Sequence, residues 1–240
     1  LEEIKQPKID SLRIKSVAST VKNSIVAVPV ALSTESVDAT WNALKEAKHP
    51  RLQVVASVSP VQMEYLFHKK PDAMLKAIEE IVTACCAKTS DVEFIADDAT
   101  RSDSAFLYKA IQTAIAAGAK TITVCDATGA ILPDEFGVFL DALYENVAEL
   151  KDVTLGVSCS NELAMADACA IAAIKHGVRE IKAAAYQINQ ISLPHVSRLL
   201  GHFYAHALVP FVSVTFGSIL EFCKIINDRG RNSWTNAGKK

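Results

Sequence analysis

The chain is predicted to be an α/β protein of the TIM (β/α)8-barrel type, because short apolar runs alternate with longer helical patterns along its length. Each apolar run is typical of a strand in a parallel sheet that is covered by helices. Six such runs, each followed by a helical pattern, lie at 24–31, 52–58, 92–96, 121–126, 153–159 and 180–186. An open doubly wound sheet is the alternative. No G-x-G-x-x-G loop follows any of the runs, which removes the main support for a dinucleotide-binding sheet.

The helices are predicted from their periodicity and from the residues at their ends. They are expected near 34–48, 71–88, 103–117, 133–149, 162–176 and 192–207. Ser33 or Thr34 is suited to cap the first of them, and Pro133 is suited to begin the fourth. Gly118 and Gly177 stand where helix C-caps belong. The pattern is that of six consecutive βα units.

The composition and charge exclude several classes of protein. With 240 residues, of which 50% are hydrophobic and 22% charged, the chain can bury one ordinary globular core. A net charge of -2 provides no basic field for nucleic acid. No apolar run approaches the roughly 20 residues that span a bilayer. We therefore expect small molecules or proteins as partners, and neither nucleic acid nor a membrane.

The cysteines indicate the cellular compartment. They lie in apolar segments without paired metal-ligand spacing, and no signal peptide precedes them. This fits buried thiols in a reducing environment, so the expected localisation is cytoplasmic. The six are Cys85, Cys86, Cys125, Cys159, Cys169 and Cys223.

Polar side chains cluster directly after the predicted strands. In a barrel the carboxyl ends of the strands share one rim, which carries the active site. Ser158 and Ser160 alternate along one strand, so both face the same side and could converge on one ligand, although hydroxyls are poor metal ligands. No histidine is placed near them to activate a nucleophile. The candidates by position are Asp97, Asp98, Arg101, Asp126, Thr128, Ser158, Ser160, Asn161 and Glu162.

Each of these candidates also has a purely structural interpretation. Asp97, Asp98 and Arg101 could form an ion-paired loop and helix cap without a ligand. Asp126, with the Thr128-Gly129 pair after it, could simply turn the chain. The serines could be small hydrogen-bonding side chains that fill space.

Three histidines form a further candidate group. His195, His202 and His206 share one face of the predicted helix 192–207, and the last two have the spacing of a helical metal pair. Barrel helices pack outside the strands, away from the rim. A surface or interface stripe is therefore favoured over a metal site.

Several segments resemble one family of enzymes. The run VEFIADDATRSD at 92–103 resembles the fifth-strand motif of 2-isopropylmalate synthases and homocitrate synthases, which are HMGL-like TIM barrels of the DRE-TIM metallolyase superfamily. Four more segments agree with the family in order and spacing, and the match covers roughly residues 10 to 200. They are 37–44, 63–65, 117–129 and 132–136.

The resemblance implies a transferase of amino-acid biosynthesis, such as leucine biosynthesis, that condenses acetyl-CoA with a 2-oxo acid. It implies a homo-oligomer and a divalent metal acting as a Lewis acid, held by a strand-one aspartate and a His-x-His pair on strand seven. That pair falls on Ser158 and Ser160, whereas Asn161 and Glu162 keep an asparagine and an acid. The metal site is therefore expected to be degenerate, no metal ligand is assigned, and the cofactor stays unknown.

Other family positions have changed as well. The third-strand arginine falls on Ala31, the histidine before Met-Glu-Tyr is Gln62, and a Glu-Asp pair is Asp97-Asp98. The glycine-rich stretch after strand eight is replaced by residues 187–193. We predict Asp97, Asp98, Arg101 and Asp126 as catalytic residues. The predicted substrate-binding residues are Thr128, Ser158, Ser160, Asn161, Glu162 and Tyr186.

In the family's numbering, strands three to eight are recognisable and strands one and two are missing from this chain, which opens on Leu1. A further apolar run at 209–216, with a helix near 217–227, could take the place of one of the two missing strands. Either about 50 to 60 residues, the length of two βα units, precede the chain, or another chain supplies them, and the first is favoured. Residues 1–227 are predicted to be one barrel domain, incomplete at its N-terminus, and 228–240 a polar tail.

Two hypotheses of function remain. The first is a 2-isopropylmalate synthase-like acyltransferase, as the resemblance implies. The second is a non-catalytic paralogue, a pseudoenzyme that keeps the scaffold for a regulatory, ligand-binding or assembly role, because a fold does not fix a function.

Overall fold

The computed structural model of the protein describes residues 3–185 and 189–204. It contains one sheet of six parallel strands whose spatial order is their order in the chain. A doubly wound sheet reverses its strand order part-way, so that alternative is wrong. The predicted class, a partial TIM barrel, is confirmed. The strands are β1 Val26–Val30, β2 Pro50–Ser57, β3 Val92–Asp97, β4 Thr121–Asp126, β5 Thr154–Cys159 and β6 Glu180–Ile181.

Eight α-helices are described, and after the first helix one helix follows each strand, except that two follow β2. They are α1 Pro7–Thr20, α2 Thr34–Leu44, α3 Pro60–Tyr65, α4 Pro71–Cys86, α5 Ser104–Ala116, α6 Pro133–Asn146, α7 Ala166–Lys175 and α8 Leu193–Tyr204. Two 3-10 turns, Ala99–Arg101 and Ala148–Asp152, follow β3 and α6. Within residues 3–185 and 189–204, no helix is long and apolar enough to cross a membrane. The predicted elements at 209–216 and 217–227, the tail 228–240, Tyr186 and His206 lie outside the described residues.

The helix ends follow local hydrogen bonds. The Ser33 hydroxyl accepts from the backbone N–H of Ser36 and caps α2, as predicted. Gly118 and Gly177 have φ of 111° and 88°, the left-handed conformation expected after a helix. The helix predicted from 162 begins only at Ala166, because Ala164 has φ 59° and cannot continue a right-handed helix.

Helix α3 lies where the sequence predicted only a loop. The Ser59 hydroxyl accepts from the backbone N–H of Gln62, and Pro60 occupies the first helical position. A single turn of helix needs little more than such a cap and offers too few residues for a periodic pattern. It is this turn that carries Gln62 to the end of β2.

The chain divides into two compact units. The first unit comprises Leu1–Ala127 and Asp141–Gly156, and the second comprises Thr128–Leu140 and the residues from Val157 onward. In the first unit α2 packs on β1, α4 on β2 and β3, and α5 on β3. The strand residues on the helix-covered face, such as Val54, Phe94 and Ile122, are fully buried and are neighbours in the parallel register.

The opposite face of these strands, the inner face, carries polar residues. By alternation it contains Gln53, Glu93 and Thr123. The Glu93 carboxylate is fully buried and accepts from Gln53 Nε2 at 2.8 Å and from Thr123 Oγ1 at 2.6 Å. Arg51 lies 3.6 Å from it and 2.8 Å from Asp91. A buried charge is tolerated when it is paired and hydrogen-bonded in this way.

In the second unit, polar contacts fix the start of α8. Asp167, in the first turn of α7, accepts from the backbone N–H of Ser192 at 2.7 Å and contacts His195 Nδ1 at 2.7 Å. His195 thus pairs with a carboxylate, which agrees with the predicted surface role better than with a metal role.

Candidate functional site

Four predicted catalytic residues lie in the first unit, at the carboxyl ends of β3 and β4. Together with the polar side chains around them they form a group that we name the rim cluster. Its members are Ser57, Gln62, Asp97, Asp98, Thr100, Arg101 and Asp126. Their position after a strand was therefore enough to predict that these residues lie in one region, namely Asp97, Asp98, Arg101 and Asp126.

Asp98 and Arg101 form a bidentate ion pair. Arg101 Nε donates to Asp98 Oδ1 at 2.8 Å, and an Arg101 terminal nitrogen donates to Asp98 Oδ2 at 2.6 Å. Asp98 is fully buried in the left-handed region at φ 57°, which aspartate tolerates, whereas the Arg101 side chain is 47% exposed. The Asp98 side chain raises the pKa of Arg101. This supports the structural interpretation of the pair, and its catalytic role stays a prediction.

Asp97 differs from its neighbour because no guanidinium is bound to it directly in the described hydrogen bonds. Burial, and then the charge of Asp98, raise the pKa of its carboxyl. The backbone N–H of Asp98, the Gln62 side chain and Arg101 offset part of that rise in pKa. A half-buried carboxyl with a raised pKa at a strand end is suited to exchange a proton with a ligand.

Asp126 joins the cluster from β4. It is 2% exposed, and its Oδ1 accepts from the Thr100 hydroxyl at 3.1 Å. The Ser102 hydroxyl donates to the carbonyl of Val58 at 2.8 Å. The loop after β3 is thus tied to both neighbouring strand ends. Reasoning from the sequence missed Ser57, Thr100 and Ser102, since a lone hydroxyl in a loop has no distinctive pattern.

The predicted substrate-binding residues lie in the second unit. Asn189 Nδ2 donates to Ser160 Oγ at 3.2 Å and also to Glu162 Oε1. Asn161 Oδ1 accepts from the backbone N–H of Ala166 at 3.1 Å and so helps to begin α7. Ser158 is half-buried on the same side of the strand as Ser160. Asn189 was not predicted, because nothing in the stretch 187–193 marks it out.

The Thr128-Gly129 turn packs directly against this strand end. Gly129 has φ 64°, and a Cβ added to it would lie 2.5 Å from the carbonyl oxygen of Ser160 and 3.0 Å from the backbone nitrogen of Glu162. Only glycine permits this approach. The structure therefore places the turn that contains Thr128 beside Ser160 and Glu162. Their common role in substrate binding stays a prediction.

The described residues do not fit the divalent metal that the resemblance implies. Ser160 and Glu162 already accept hydrogen bonds from the Asn189 amide, and serine hydroxyls are weak ligands beside imidazole. Within residues 3–185 and 189–204, no group of three or more His, Cys, Asp or Glu side chains is arranged to hold a metal ion.

A family model described as HMGL-like matches residues 8–186. The chain belongs to the HMGL-like family. Among its curated relatives, the 2-isopropylmalate synthase of Aquifex aeolicus is 34% identical over 175 residues, which are 73% of this chain and 34% of the relative. That of Clostridium kluyveri is 32% identical over 171 residues, 71% of this chain and 33% of the relative. The chain thus spans about a third of the length of these relatives, and the predicted resemblance is confirmed.

Solved structures with the same fold include an HMG-CoA lyase and a carboxyl transferase domain. The HMG-CoA lyase of Bacillus subtilis superposes with a TM-score of 0.73 at 13% identity, covering 95% of this chain and 79% of the lyase. The carboxyl transferase domain of Rhizobium etli pyruvate carboxylase gives a TM-score of 0.66 at 14% identity, covering 89% of this chain and 35% of that chain. At such identities the likeness establishes the fold.

Proposed function

We propose that the chain belongs to a 2-isopropylmalate synthase-like acyltransferase of amino-acid biosynthesis that binds a 2-oxo acid and acetyl-CoA. The observation that carries this is its 34% identity over 175 residues with a protein of that name. The rim cluster adds to it, because Asp97 and Asp126 lie at strand ends, where barrel enzymes hold their reacting groups. A cytoplasmic homo-oligomer with a degenerate metal site is part of the same proposal.

The proposed role of Asp97 is to exchange a proton with the bound 2-oxo acid. A condensation turns the ketone oxygen of the oxo acid into a hydroxyl, so that oxygen must receive a proton. The raised pKa of Asp97 keeps its carboxyl protonated to a higher pH than usual, which suits a donor. Arg101 and Asp98 hold the loop in which Asp97 stands. Thr128, Ser158 and Tyr186 remain proposed substrate contacts.

A second candidate is favoured by one specific observation. The Asn189 amide bridges Ser160 and Glu162 at the strand end where the resemblance implies a metal. A strand end whose acceptors already receive hydrogen bonds from an amide needs no cation for its stability. This supports a non-catalytic paralogue that binds a small acid or serves in an assembly.

Measurement of CoA release separates the two candidates. The purified chain is mixed with acetyl-CoA and a panel of 2-oxo acids, with and without Mg²⁺ or Mn²⁺, and free thiol is followed with a chromogenic reagent. Thiol release that depends on one oxo acid, and that falls at least tenfold in Asp97→Asn, supports the acyltransferase. Glu46→Gln, at an exposed position, is the matched control. Saturable oxo-acid binding without thiol release supports the second candidate in its ligand-binding form. The absence of both binding and release contradicts the acyltransferase and the ligand-binding paralogue alike.

A further inference from the structure

Gln62 is held at a fixed position beside the rim. Its backbone N–H is capped by the Ser59 hydroxyl at the start of α3. Its side chain is half-buried and lies between Ser57 on β2 and Asp97 on β3. Ser57 and Asp97 are direct partners in the parallel register, so one side chain from α3 reaches both.

The hydrogen bonds give the Gln62 amide one orientation. The Ser57 hydroxyl donates to Gln62 Oε1 at 2.5 Å. The Ser57 hydroxyl occupies the amide oxygen, and Ser57 is the register partner of Asp97, so the amide nitrogen is the group left to face the Asp97 carboxylate. The Gln62 side chain accordingly acts to lower the pKa of Asp97, against the larger effect of burial. Ser57 is only 2% exposed, so water does not compete freely for its hydroxyl.

We propose that Gln62 is a positioning residue, anchored by Ser57, that aims the Asp97 carboxyl at a bound 2-oxo acid. The inference rests on the proposed function for the identity of the ligand, and on the hydrogen bonds for the positioning. The amide nitrogen of Gln62 and the backbone N–H of Asp98 both face the Asp97 carboxyl, and a lone pair that neither donor uses carries its proton. That position is the one that meets the ketone oxygen of the ligand.

The other groups around Asp97 do not replace the amide. Asp98 and Arg101, from the turn after β3, are bound to each other. The charge of Asp126, on β4, raises the pKa of Arg101, and its carboxylate accepts a hydrogen bond from the Thr100 hydroxyl. Elements β2 and α3 contribute the uncharged Ser57 and Gln62. Burial and the charge of Asp98 raise the pKa of Asp97, and the amide of Gln62 lowers it. Loss of the amide is therefore expected to raise the pKa of Asp97 further.

Titration of Asp97 in four chains tests the positioning. The carboxyl signal is followed by ¹³C NMR in the unmodified chain, Gln62→Met, Ser57→Ala and the control Val61→Ala, an exposed position on the same helix. Asp97→Asn assigns the signal. The pKa of Asp97 rises in Gln62→Met, rises less in Ser57→Ala, and is unchanged in Val61→Ala. An Asp97 titration that is identical in all four chains overturns the inference, because a merely structural glutamine would not move it.

A second variant covers the case in which Gln62→Met does not fold. Gln62→Glu keeps the size of the side chain and places a second carboxyl beside Asp97. Two adjacent carboxyls share one proton, so the NMR signal of each carboxyl reports both ionisation steps of the pair. Two signals that each report a single step would show that residue 62 does not face Asp97.

Ligand binding tests the second half of the inference. The affinity for the 2-oxo acid falls about five- to tenfold in Gln62→Met, the cost of one lost hydrogen bond, and the midpoint of its pH dependence moves upward with the pKa of Asp97. If the affinity and the midpoint are both unchanged in Gln62→Met, the claim that Asp97 faces the ligand is wrong. If the unmodified chain binds no 2-oxo acid, the proposed function is wrong and so is that claim. The titration then still decides whether Gln62 positions Asp97.

Discussion

Two neighbouring aspartates of identical chemistry have different surroundings in this protein. Asp98 is fully buried against a bidentate guanidinium, whereas Asp97 faces the inner side of the sheet with a glutamine amide for a partner. The local sequence cannot distinguish them, because both follow the same strand. Their different surroundings depend on which way each side chain leaves the strand.

The raised pKa of Asp97 predicts a pH dependence of stability. Between the ordinary pKa of an aspartate and the raised one, the folded chain binds more protons than the unfolded chain, so stability falls as pH rises through that window. Asp97→Asn removes the burial of this charge. We expect the variant to match the unmodified chain in urea unfolding below the window and to be more stable above it.

The control for this experiment is Glu46→Gln, which removes an exposed carboxylate of the same unit. Equal stability differences for Asp97→Asn on both sides of the window would contradict the assigned environment of Asp97.

The ion pair of the rim predicts the effect of losing Arg101. Arg101→Met leaves the buried Asp98 carboxylate without its partner. Because Arg101 is half exposed and water can partly replace it, we expect a loss of about 2 kcal/mol in the free energy of unfolding. The double variant Asp98→Asn with Arg101→Met should recover much of it. Additive losses in the double variant would indicate that the two side chains are not coupled.

At the scale of elements, the sequence predicted the strands better than their loops. The runs at 92–96 and 121–126 match β3 and β4 to within one residue, because most residues of both strands are buried and their apolar members stand out in the sequence. The run 180–186 gives only the two-residue β6, and α3 was missed. The extent of β6 depends on pairing with distant residues, and α3 is too short for a periodic pattern, so periodicity records neither.

The turn after β4 predicts a strict requirement for glycine. Gly129→Ala places a methyl group against the Ser160 carbonyl in a backbone region that alanine disfavours. We expect a loss of about 1–3 kcal/mol, measured by urea unfolding and by faster amide exchange in residues 158–162. Ala130→Ser, one exposed residue further on, serves as control. If Gly129→Ala changed neither the urea unfolding nor the amide exchange, the turn would not lie against the strand end.

Replacing Glu93, in the polar layer of the inner face, is predicted to lower the free energy of unfolding. Glu93→Ala removes the acceptor of both Gln53 and Thr123 and leaves Arg51 with one carboxylate fewer. We expect a loss of about 3 kcal/mol, since buried partners are left unsatisfied. Glu93→Gln, which retains an acceptor, should lose less. The order of the two variants in chemical unfolding is the decisive measurement.

At the scale of the whole molecule, the sequence predicts the fold better than it predicts the function. The alternation of strands and helices suffices to predict a parallel α/β sheet, because it depends on many residues at once, and the strand order then identifies the partial barrel. The site depends on a few side chains such as Gln62 and Asn189, whose partners lie 35 and 29 residues away in the chain. The family tells which scaffold these side chains stand on, and the reaction has to be argued from the side chains themselves.

The sequential strand order has a consequence for biosynthesis. From β1 to β6, the strand that follows in the chain is also the neighbour in the sheet. A growing chain therefore exposes each new strand next to a completed partner, and no strand has to wait for a distant one. We expect ribosome-stalled chains that end beyond α5 to resist protease over β1 to β3. Assembly of the sheet can then keep pace with translation, and little apolar strand surface is open to aggregation at any moment.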